Sequence, residues 1–451
     1  MALFGTDGVR GLANRDLTAE LALKLAISAA HILAEVGEIG EVGSSNGRPK
    51  AIIGQDSRAS GEFLEAAVIA GLASAGVDVY LVGVLPTPAI AHLVAETGAD
   101  LGVMISASHN PMPDNGIKFF AKGGGKLDDA LEAKIEARLE EKWDRPLGAD
   151  VGRVVLDESA AERYIYHLLS SLSTSLTGIK VVVDCANGAS SRVAPKTYER
   201  AGAEVIAISA TPNGININDG CGSTHLENLK AKVVEVGADL GIAHDGDADR
   251  CLAVDANGNE VDGDFIMAIL ATDLKSRGEL VNNTVVGTVM SNLGFMKAMA
   301  ANGITVETTA VGDRYVLEKM LADGHTLGGE QSGHIIMRQH ANTGDGLLTA
   351  LHLMQAMKNS GKSLADLASV MVRFPQVLIN VKDVKKEELS ESEPIQSAIK
   401  AKGEDFGDKG RILVRASGTE ALVRVMVEAE SVKDAEEIAN EIAALVRSEL
   451  S

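Results

Sequence analysis

Three stretches of this chain repeat one order of elements, and that repetition restricts the fold more than any other feature. An apolar run that ends in a small polar loop occurs as Ala51-Ile-Ile-Gly-Gln-Asp56-Ser-Arg58, as Val181-Val-Val-Asp184-Cys-Ala-Asn187-Gly188 and as Val285-Val-Gly-Thr-Val-Met-Ser291-Asn292. A helical pattern follows each run, most plainly over 61–75, where Phe63, Ala67 and Ala70-Gly-Leu share one face. Second strands are expected at 77–82, 203–208 and 304–308, then another helix, then third strands at 101–105, 240–243 and 326–329. Each third strand opens into a polar loop and is followed by a short apolar return at 117–120, 252–254 or 335–337. Strands alternating with helices predict parallel α/β sheets. Polar loops at equivalent strand ends lie where α/β proteins bind ligands, and loops from units packed side by side can converge on one cleft.

From about Arg373 the pattern changes to strand, polar stretch, strand, loop, strand and closing helix. The stretch 385–409, rich in Lys, Glu, Asp and Ser, reads as a solvated helix and loop; Ser431 with Asp434 three residues on reads as the capping box of the last helix. The predicted fold class is therefore α/β, with three related mixed α/β domains around a cleft plus a smaller C-terminal α+β domain. The expected divisions are 1–160, 161–262, 263–372 and 373–451, consistent with 451 residues and domains of about 100–200 residues each. Residues 40–50 are expected as a surface loop of the first domain.

Forty-two basic against 63 acidic residues give a net charge of −21. Such a chain repels nucleic acid and anionic membrane, so neither is an expected partner. An anionic substrate would have to be drawn in by local arginines and a metal. Cys185, Cys221 and Cys251 are odd in number and lack CxxC spacing, so they read as reduced structural cysteines. Residues 1–10 lack the apolar core of a signal peptide, and Lys24, His31 and Glu35 interrupt the apolar segment 21–36. The expectation is a soluble, cytoplasmic protein.

Four loops carry chemistry. Ser106-Ala-Ser108-His109-Asn110-Pro111 puts a serine beside a histidine at a strand end, where the hydroxyl could carry a phosphoryl group; the loop alone fits an ordinary Ser-rich turn as well. In Asp245-Gly-Asp247-Ala-Asp249, extended backbone would aim all three carboxylates to one side, towards a hard cation. An EF-hand is excluded, because the places that need Gly and Glu hold Arg250 and Ala256. Mg²⁺ is favoured, since few protein ligands leave positions for a phosphate oxygen. Glu330, Ser332 and His334 alternate and, if extended, would face one ligand with groups suited to sugar hydroxyls. Arg415, Ser417, Gly418 and Thr419 form a phosphate cradle or a plain β-turn, with Arg424 a further guanidinium beyond it. Thr6-Asp7-Gly8-Val9-Arg10-Gly11 is a tight turn presenting Arg10, equally readable as a surface turn. Taken singly, His109 and His334 fit satisfied loop histidines, and Lys118 fits an exposed lysine.

Together, Ser106-Ala-Ser-His-Asn-Pro, Asp-Gly-Asp-Ala-Asp-Arg250, Gly329-Glu-Gln-Ser-Gly-His334 and Arg415-Ala-Ser-Gly-Thr-Glu420 resemble the α-D-phosphohexomutase superfamily, in its order and across essentially the whole chain. Phe4-Gly-Thr-Asp-Gly-Val-Arg10-Gly and the Gly-Glu-Gln-Ser-Gly-His loop are most similar to the branch acting on glucosamine phosphates. The resemblance implies four domains around a cleft and phosphorylation of Ser108. It implies one Mg²⁺ per chain on Asp245, Asp247, Asp249 and the Ser108 phosphate. Glu330 and Ser332 match the sugar-selecting loop, and Arg415, Ser417 and Thr419 the distal phosphate site. Arg10, His109, Lys118, Arg250 and His334 match positions that support phosphoryl transfer, Lys118 as a candidate proton carrier. Ala416 and Ala421 stand where the family often has Pro, a change that removes no binding side chain.

The implied activity interconverts glucosamine 6-phosphate and glucosamine 1-phosphate through glucosamine 1,6-bisphosphate, feeding UDP-N-acetylglucosamine and cell-wall precursors. The implied partners are small sugar phosphates, and the implied assembly is a homodimer. A phosphomannomutase or phosphoglucomutase is the alternative within the family. A Mg²⁺-dependent phosphatase would instead use an aspartyl nucleophile such as Asp245, and a sugar-phosphate-binding regulator would need the Arg415 loop but neither Ser108 nor the aspartates.

Overall fold

The computed structural model describes residues 3–5, 7–40, 47–417 and 421–451, so 41–46 of the expected surface loop lie outside the described residues. The repeat appears as three sheets with one shared strand order. In the first, Lys50–Gln55 pairs in parallel with Asp78–Val84 and with Leu101–Ile105, and Asp114–Ala121 returns antiparallel to the latter. The second arranges Lys180–Asp184, Glu204–Ile208, Leu240–Ala243 and Leu252–Asp255 in the same way. The third does so with Thr284–Thr288, Thr305–Thr309, Leu327–Gly329 and Ile335–Met337. The first sheet reaches seven strands by adding Gly8–Leu12 and Phe4–Gly5 at one edge and Val154–Leu156 at the other.

The central residues of the first and third strands of the first two repeats are apolar because both of their faces are covered. Ile52, Ile53, Val103 and Ile105 are buried in the first sheet and Val181, Val182 and Val183 in the second. Full burial of each such side chain is worth about 1.5–3 kcal/mol. The long helix Ala19–Glu35 packs this core with small residues, Ala22, Ala26, Ala29 and Ala30, and meets helix Ser60–Ser74 at Gly71. A Cβ at Gly71 would lie 2.6 Å from the Ala26 Cβ and 2.8 Å from the Leu23 carbonyl oxygen, so this crossing requires glycine. Among the described residues, no helix is long and apolar enough to cross a membrane.

The chain divides into two compact units, residues 1–290 with 304–369, and residues 291–303 with 370–451. The second unit holds the three-stranded sheet Gln376–Lys382, Leu422–Ala429 and Gly410–Ala416, covered by helices Glu393–Phe406 and Val432–Glu449. It also holds Leu293–Ala301, the first helix of the third repeat in sequence order. The buried Glu428 explains the capture: its carboxylate accepts from Asn292 Nδ2 at 3.1 Å, from the Leu293 N–H at 3.1 Å and from Arg411 Nε at 3.0 Å. The last helix starts at Ser431, whose Oγ accepts the Asp434 N–H at 3.1 Å. The Asp434 carboxylate returns to the Ser431 hydroxyl at 2.7 Å, so only half of the expected box forms. A full capping box closes a different helix, Leu364–Ala368, between Ser363 and Asp366.

Candidate active site

The loop after Leu101–Ile105 holds Ser108 at φ +51°, a left-handed conformation that costs energy outside glycine. Its neighbours hold it there. The Ser108 N–H donates to Ser106 Oγ at 2.9 Å, and the Ser106 hydroxyl donates to Asp56 Oδ2 at 2.6 Å. The buried Arg58 pairs with Asp56 through Nε at 3.0 Å and donates to the carbonyls of Ser108, Asn110 and Pro111 at 3.0, 2.8 and 2.7 Å. Asn218 Nδ2, from the second repeat, donates to the Ser108 carbonyl at 2.9 Å. The hydroxyl itself donates to Asp245 Oδ2 at 2.5 Å and lies 3.3 Å from His109 Nδ1. Burial, aided by Arg250 and Arg10, lowers the His109 pKa to about 4, leaving a neutral imidazole at pH 7.

Asp245, Asp247 and Asp249 are buried, with ligand oxygens within 4.8 Å of one another. Their convergence comes from a tight turn rather than the extended backbone expected: Ala248 sits at φ +56° and donates to the Asp245 carbonyl at 3.1 Å. Gly246 lies against the serine loop, where a Cβ would stand 2.5 Å from the Ser108 carbonyl oxygen. Asp247 Oδ2 accepts from Thr87 Oγ1 at 2.6 Å and from Lys118 Nζ at 2.8 Å. Asp247 Oδ1 and Asp249 Oδ1 are buried with no hydrogen-bond donor. Burial, then the charges of Asp249 and Asp247, push the Asp245 carboxyl well above its ordinary range; burial and Asp247 raise Asp249 as well. Repelling carboxylates with oxygens that lack donors fit a hard divalent cation. A second acid-rich cluster among the described residues, Glu307, Asp323 and His325, already holds Lys319 Nζ at 3.1 and 2.6 Å from its two carboxylates.

A line of alternating charges joins the three repeats. Lys118 Nζ lies 2.8 Å from both Asp247 and Asp7, and Asp7 also pairs with Arg10 and, at 2.6 Å, with Lys126. Lys126 reaches Asp313 at 2.5 Å, and His334 Nε2 lies 3.4 Å from Asp313 and 3.9 Å from Asp249. Burial alone would lower the Lys118 pKa, but Asp247 and Asp7 outweigh it and hold the ammonium charged. The sugar-type loop is a hairpin turn, not extended chain: Gly333, at φ +90°, donates to the Glu330 carbonyl at 3.0 Å, and the Glu330 N–H donates to the His334 carbonyl at 2.9 Å. Its Glu330 Oε1 accepts the Gly312 N–H at 3.1 Å. An isolated bridge between Arg250 and His334 ties this turn to the aspartate loop.

Thus Arg10, Ser108, His109, Lys118, the three aspartates, Arg250, Glu330, Ser332 and His334 belong to the first unit, and Arg415, Ser417 and Arg424 to the second. Gly418 and Thr419 lie outside the described residues. In the second unit Arg415 and Arg424 stand directly opposite on paired strands; burial and the Arg424 charge lower the Arg415 pKa. Like charges directly opposite on paired strands repel.

The phosphoglucomutase/phosphomannomutase α/β/α domains I, II and III match residues 1–145, 162–258 and 262–374, and that family's C-terminal domain matches 378–445. A phosphoglucosamine mutase from Streptomyces griseus is 60% identical over 453 residues, spanning 99% of each chain. The chain belongs to the phosphoglucosamine mutase family. It is therefore an enzyme of the mutase, or isomerase, type. Among solved structures, a phosphoglucomutase/phosphomannomutase family protein from Burkholderia thailandensis superposes with a TM-score of 0.81 at 22% identity, covering 98% of both chains. An N-acetylphosphoglucosamine mutase from Aspergillus fumigatus, solved with GlcNAc-6P and magnesium, gives 0.71 at 18% identity, covering 100% of this chain and 96% of that one. At those identities the two structures bear on the fold of this family member, which is the one expected.

Several residues of the site escape linear reading. Asp7 lies in the turn that presents Arg10, and its acid three residues before an arginine was the available signal. Asp56 and Arg58 end the first apolar run, where a fully buried arginine looks like any surface one in sequence. Thr87, Lys126, Asn218 and Asp313 stand among ordinary neighbours and gain their partners only through the fold.

Proposed function

We propose that the enzyme interconverts glucosamine 6-phosphate and glucosamine 1-phosphate through phosphorylated Ser108 and glucosamine 1,6-bisphosphate. The observation that carries this reading is the Ser108 hydroxyl, 2.5 Å from Asp245 in a buried triad whose Asp247 and Asp249 each keep an oxygen without a donor. A phosphate on Ser108 brings close to two negative charges. Lys118, held cationic by Asp7 and Asp247, and Arg250, between the two loops, offset it. Asp245, Asp247 and Asp249 would hold one Mg²⁺, which when bound stabilises charge on the transferring phosphoryl oxygens.

In the first half-reaction the bond from Ser108 Oγ to phosphorus breaks and a bond from the sugar O1 to phosphorus forms; the O1 proton leaves to a base. The bisphosphate then turns round and the transfer runs backwards from O6. The neutral His109 imidazole, 3.3 Å from Ser108 Oγ, is the group suited to exchange a proton at that oxygen. Arg10 and His334 support transfer, and Glu330 and Ser332 select the sugar hydroxyls. Arg415, Ser417, Gly418, Thr419 and Arg424 hold the phosphate not in transfer. The names of the relatives favour glucosamine over mannose or glucose.

The working domains under this reading are 1–160, 161–262, 263–372 and 373–451. Three free, buried cysteines support a reducing, cytoplasmic setting, and the active species is a homodimer. The test is a panel of glucosamine, mannose and glucose 6-phosphates with the wild type and Ser108→Ala. Preference for glucosamine 6-phosphate and loss of turnover in the variant are expected; full turnover by Ser108→Ala would sink the scheme.

A further inference from the structure

His244 follows the third strand of the second repeat, Leu240–Ala243, and immediately precedes the aspartate triad. The hairpin ladder ends at Ala243↔Leu252, so the loop 244–251 leaves the sheet with its two ends side by side. At one end the backbone of His244 is fixed: its N–H donates to the Asp184 carbonyl at 3.0 Å, and its carbonyl accepts the Ser223 N–H at 2.9 Å. The ring crosses to the other end, where Nδ1 lies 2.9 Å from the Arg250 carbonyl oxygen. The second ring nitrogen, Nε2, lies 2.8 Å from the hydroxyl of Tyr198, on helix Val193–Arg200. Both side chains are fully buried.

These contacts fix where the protons sit. A carbonyl oxygen only accepts, so Nδ1 carries the hydrogen and donates to Arg250. Buried between two neutral partners, the imidazole stays uncharged, which leaves Nε2 bare to accept from the Tyr198 hydroxyl. A buried polar chain satisfied at every member specifies one geometry.

The first repeat uses the equivalent position in the same way. Ser106, the residue after Leu101–Ile105, accepts the Ser108 N–H of its own loop and is itself held by Asp56. In the second repeat the third-repeat helix Gly346–Ser360 closes over the His244 contact. A Cβ at Gly346 would lie 2.2 Å from the Arg250 carbonyl oxygen and 2.8 Å from His244 Nδ1, and the Gly346 N–H donates to the Ala248 carbonyl at 3.1 Å.

We propose that Tyr198 and His244 are positioning residues for the aspartate loop: the phenol fixes the imidazole tautomer, and the Nδ1–H pins the Arg250 carbonyl, so that Asp249 and the Arg250 guanidinium keep their places. This rests on the Mg²⁺ reading of the triad above. Neither side chain is itself a ligand, since both His244 nitrogens are engaged. Removing a group that orients metal ligands typically costs about 10–100-fold in metal affinity or turnover.

Two amides separate the roles of the two ring nitrogens. Counted outward from Cβ, the asparagine amide nitrogen stands where Nδ1 does, and the glutamine amide stands where Nε2 does. His244→Asn therefore keeps the hold on Arg250, His244→Gln keeps only the Tyr198 contact, and Tyr198→Phe keeps the ring but removes its donor. The measurement is Mn²⁺ binding to the wild type and the three variants by electron paramagnetic resonance, with kcat and KM for glucosamine 6-phosphate and thermal unfolding alongside. His244→Gln should bind Mn²⁺ about 10–100-fold more weakly and lose kcat, with KM within about twofold of wild type. His244→Asn should stay within about threefold of wild type, and Tyr198→Phe should bind about three- to tenfold more weakly. Equal losses of thermal stability in His244→Asn and His244→Gln, with wild-type Mn²⁺ affinity in both, would overturn the proposal. So would wild-type Mn²⁺ affinity in Tyr198→Phe, the variant that decides the matter if those at His244 do not fold. A wild type that binds no Mn²⁺ overturns the metal reading itself and this inference with it.

Discussion

Replacing Arg58 by methionine tests how the serine loop is held. The guanidinium makes four contacts: Asp56, and the carbonyls of Ser108, Asn110 and Pro111. Asn218 Nδ2 still reaches the Ser108 and Asn110 carbonyls at 2.9 and 3.1 Å, so among those three oxygens Pro111 loses the most. The larger cost is Asp56, left without its cation in a fully buried place; removing one member of such a pair costs about 3–5 kcal/mol. Burial already raises the Asp56 pKa. In the variant it rises further, so the folded state keeps a proton that the unfolded state has released, and the loss of stability grows as pH rises above the ordinary carboxylate range.

Trp143, the single tryptophan, packs against the first-repeat core and reports unfolding by fluorescence in urea. Turnover should fall by about 10²-fold, the usual result of a misplacement of about 1 Å at a reacting group. Asp56→Asn/Arg58→Met should recover most of the stability and little of the turnover. If Arg58→Met unfolds within about 1 kcal/mol of wild type at pH 8 and keeps a third of its turnover, Arg58 does not hold the loop.

Asp345, fully buried against Tyr164, has its pKa raised to about 6, chiefly by burial. The folded state therefore holds this proton more tightly than the unfolded state, and stability falls by roughly 3 kcal/mol as pH rises from about 4 to 6. Asp345→Asn, which keeps the helix cap, should remove that slope in urea titrations; an unchanged slope contradicts the assignment. Gly246→Ala, which would place a Cβ 2.5 Å from the Ser108 carbonyl oxygen, should cut turnover about 10²-fold with circular dichroism unchanged. Chelation should abolish turnover and lower thermal stability, and Mg²⁺ at a hundred times its dissociation constant should restore about 2.7 kcal/mol.

The first and third strands of the repeats were legible because their apolar runs are buried on both faces, and a polar loop at a strand end is visible without a partner. Turn geometry was less legible. Ala248 at φ +56° bends the aspartate loop, although alanine gives no sign of a left-handed residue. Gly333 at least marked a turn between Glu330 and His334. Least legible were groups whose meaning depends on another repeat: Lys126 of the first, paired with Asp7, meets Asp313 of the third. Helix Leu293–Ala301 likewise joins the C-terminal unit through partners far along the chain, Glu428 and Asp408 among them. The strand Val154–Leu156 follows a short polar stretch and falls outside the repeat that guided the other strands.

The central claim is that Ser108 carries the phosphoryl group. Peptide mass spectrometry of the purified enzyme, before and after incubation with glucosamine 6-phosphate and Mg²⁺, tests it most directly. The account predicts one phosphate on the Ser108 peptide, exchanged or lost as glucosamine 1-phosphate forms. A Ser108 that stays unmodified even with glucosamine 1,6-bisphosphate, while the product still accumulates, would contradict it.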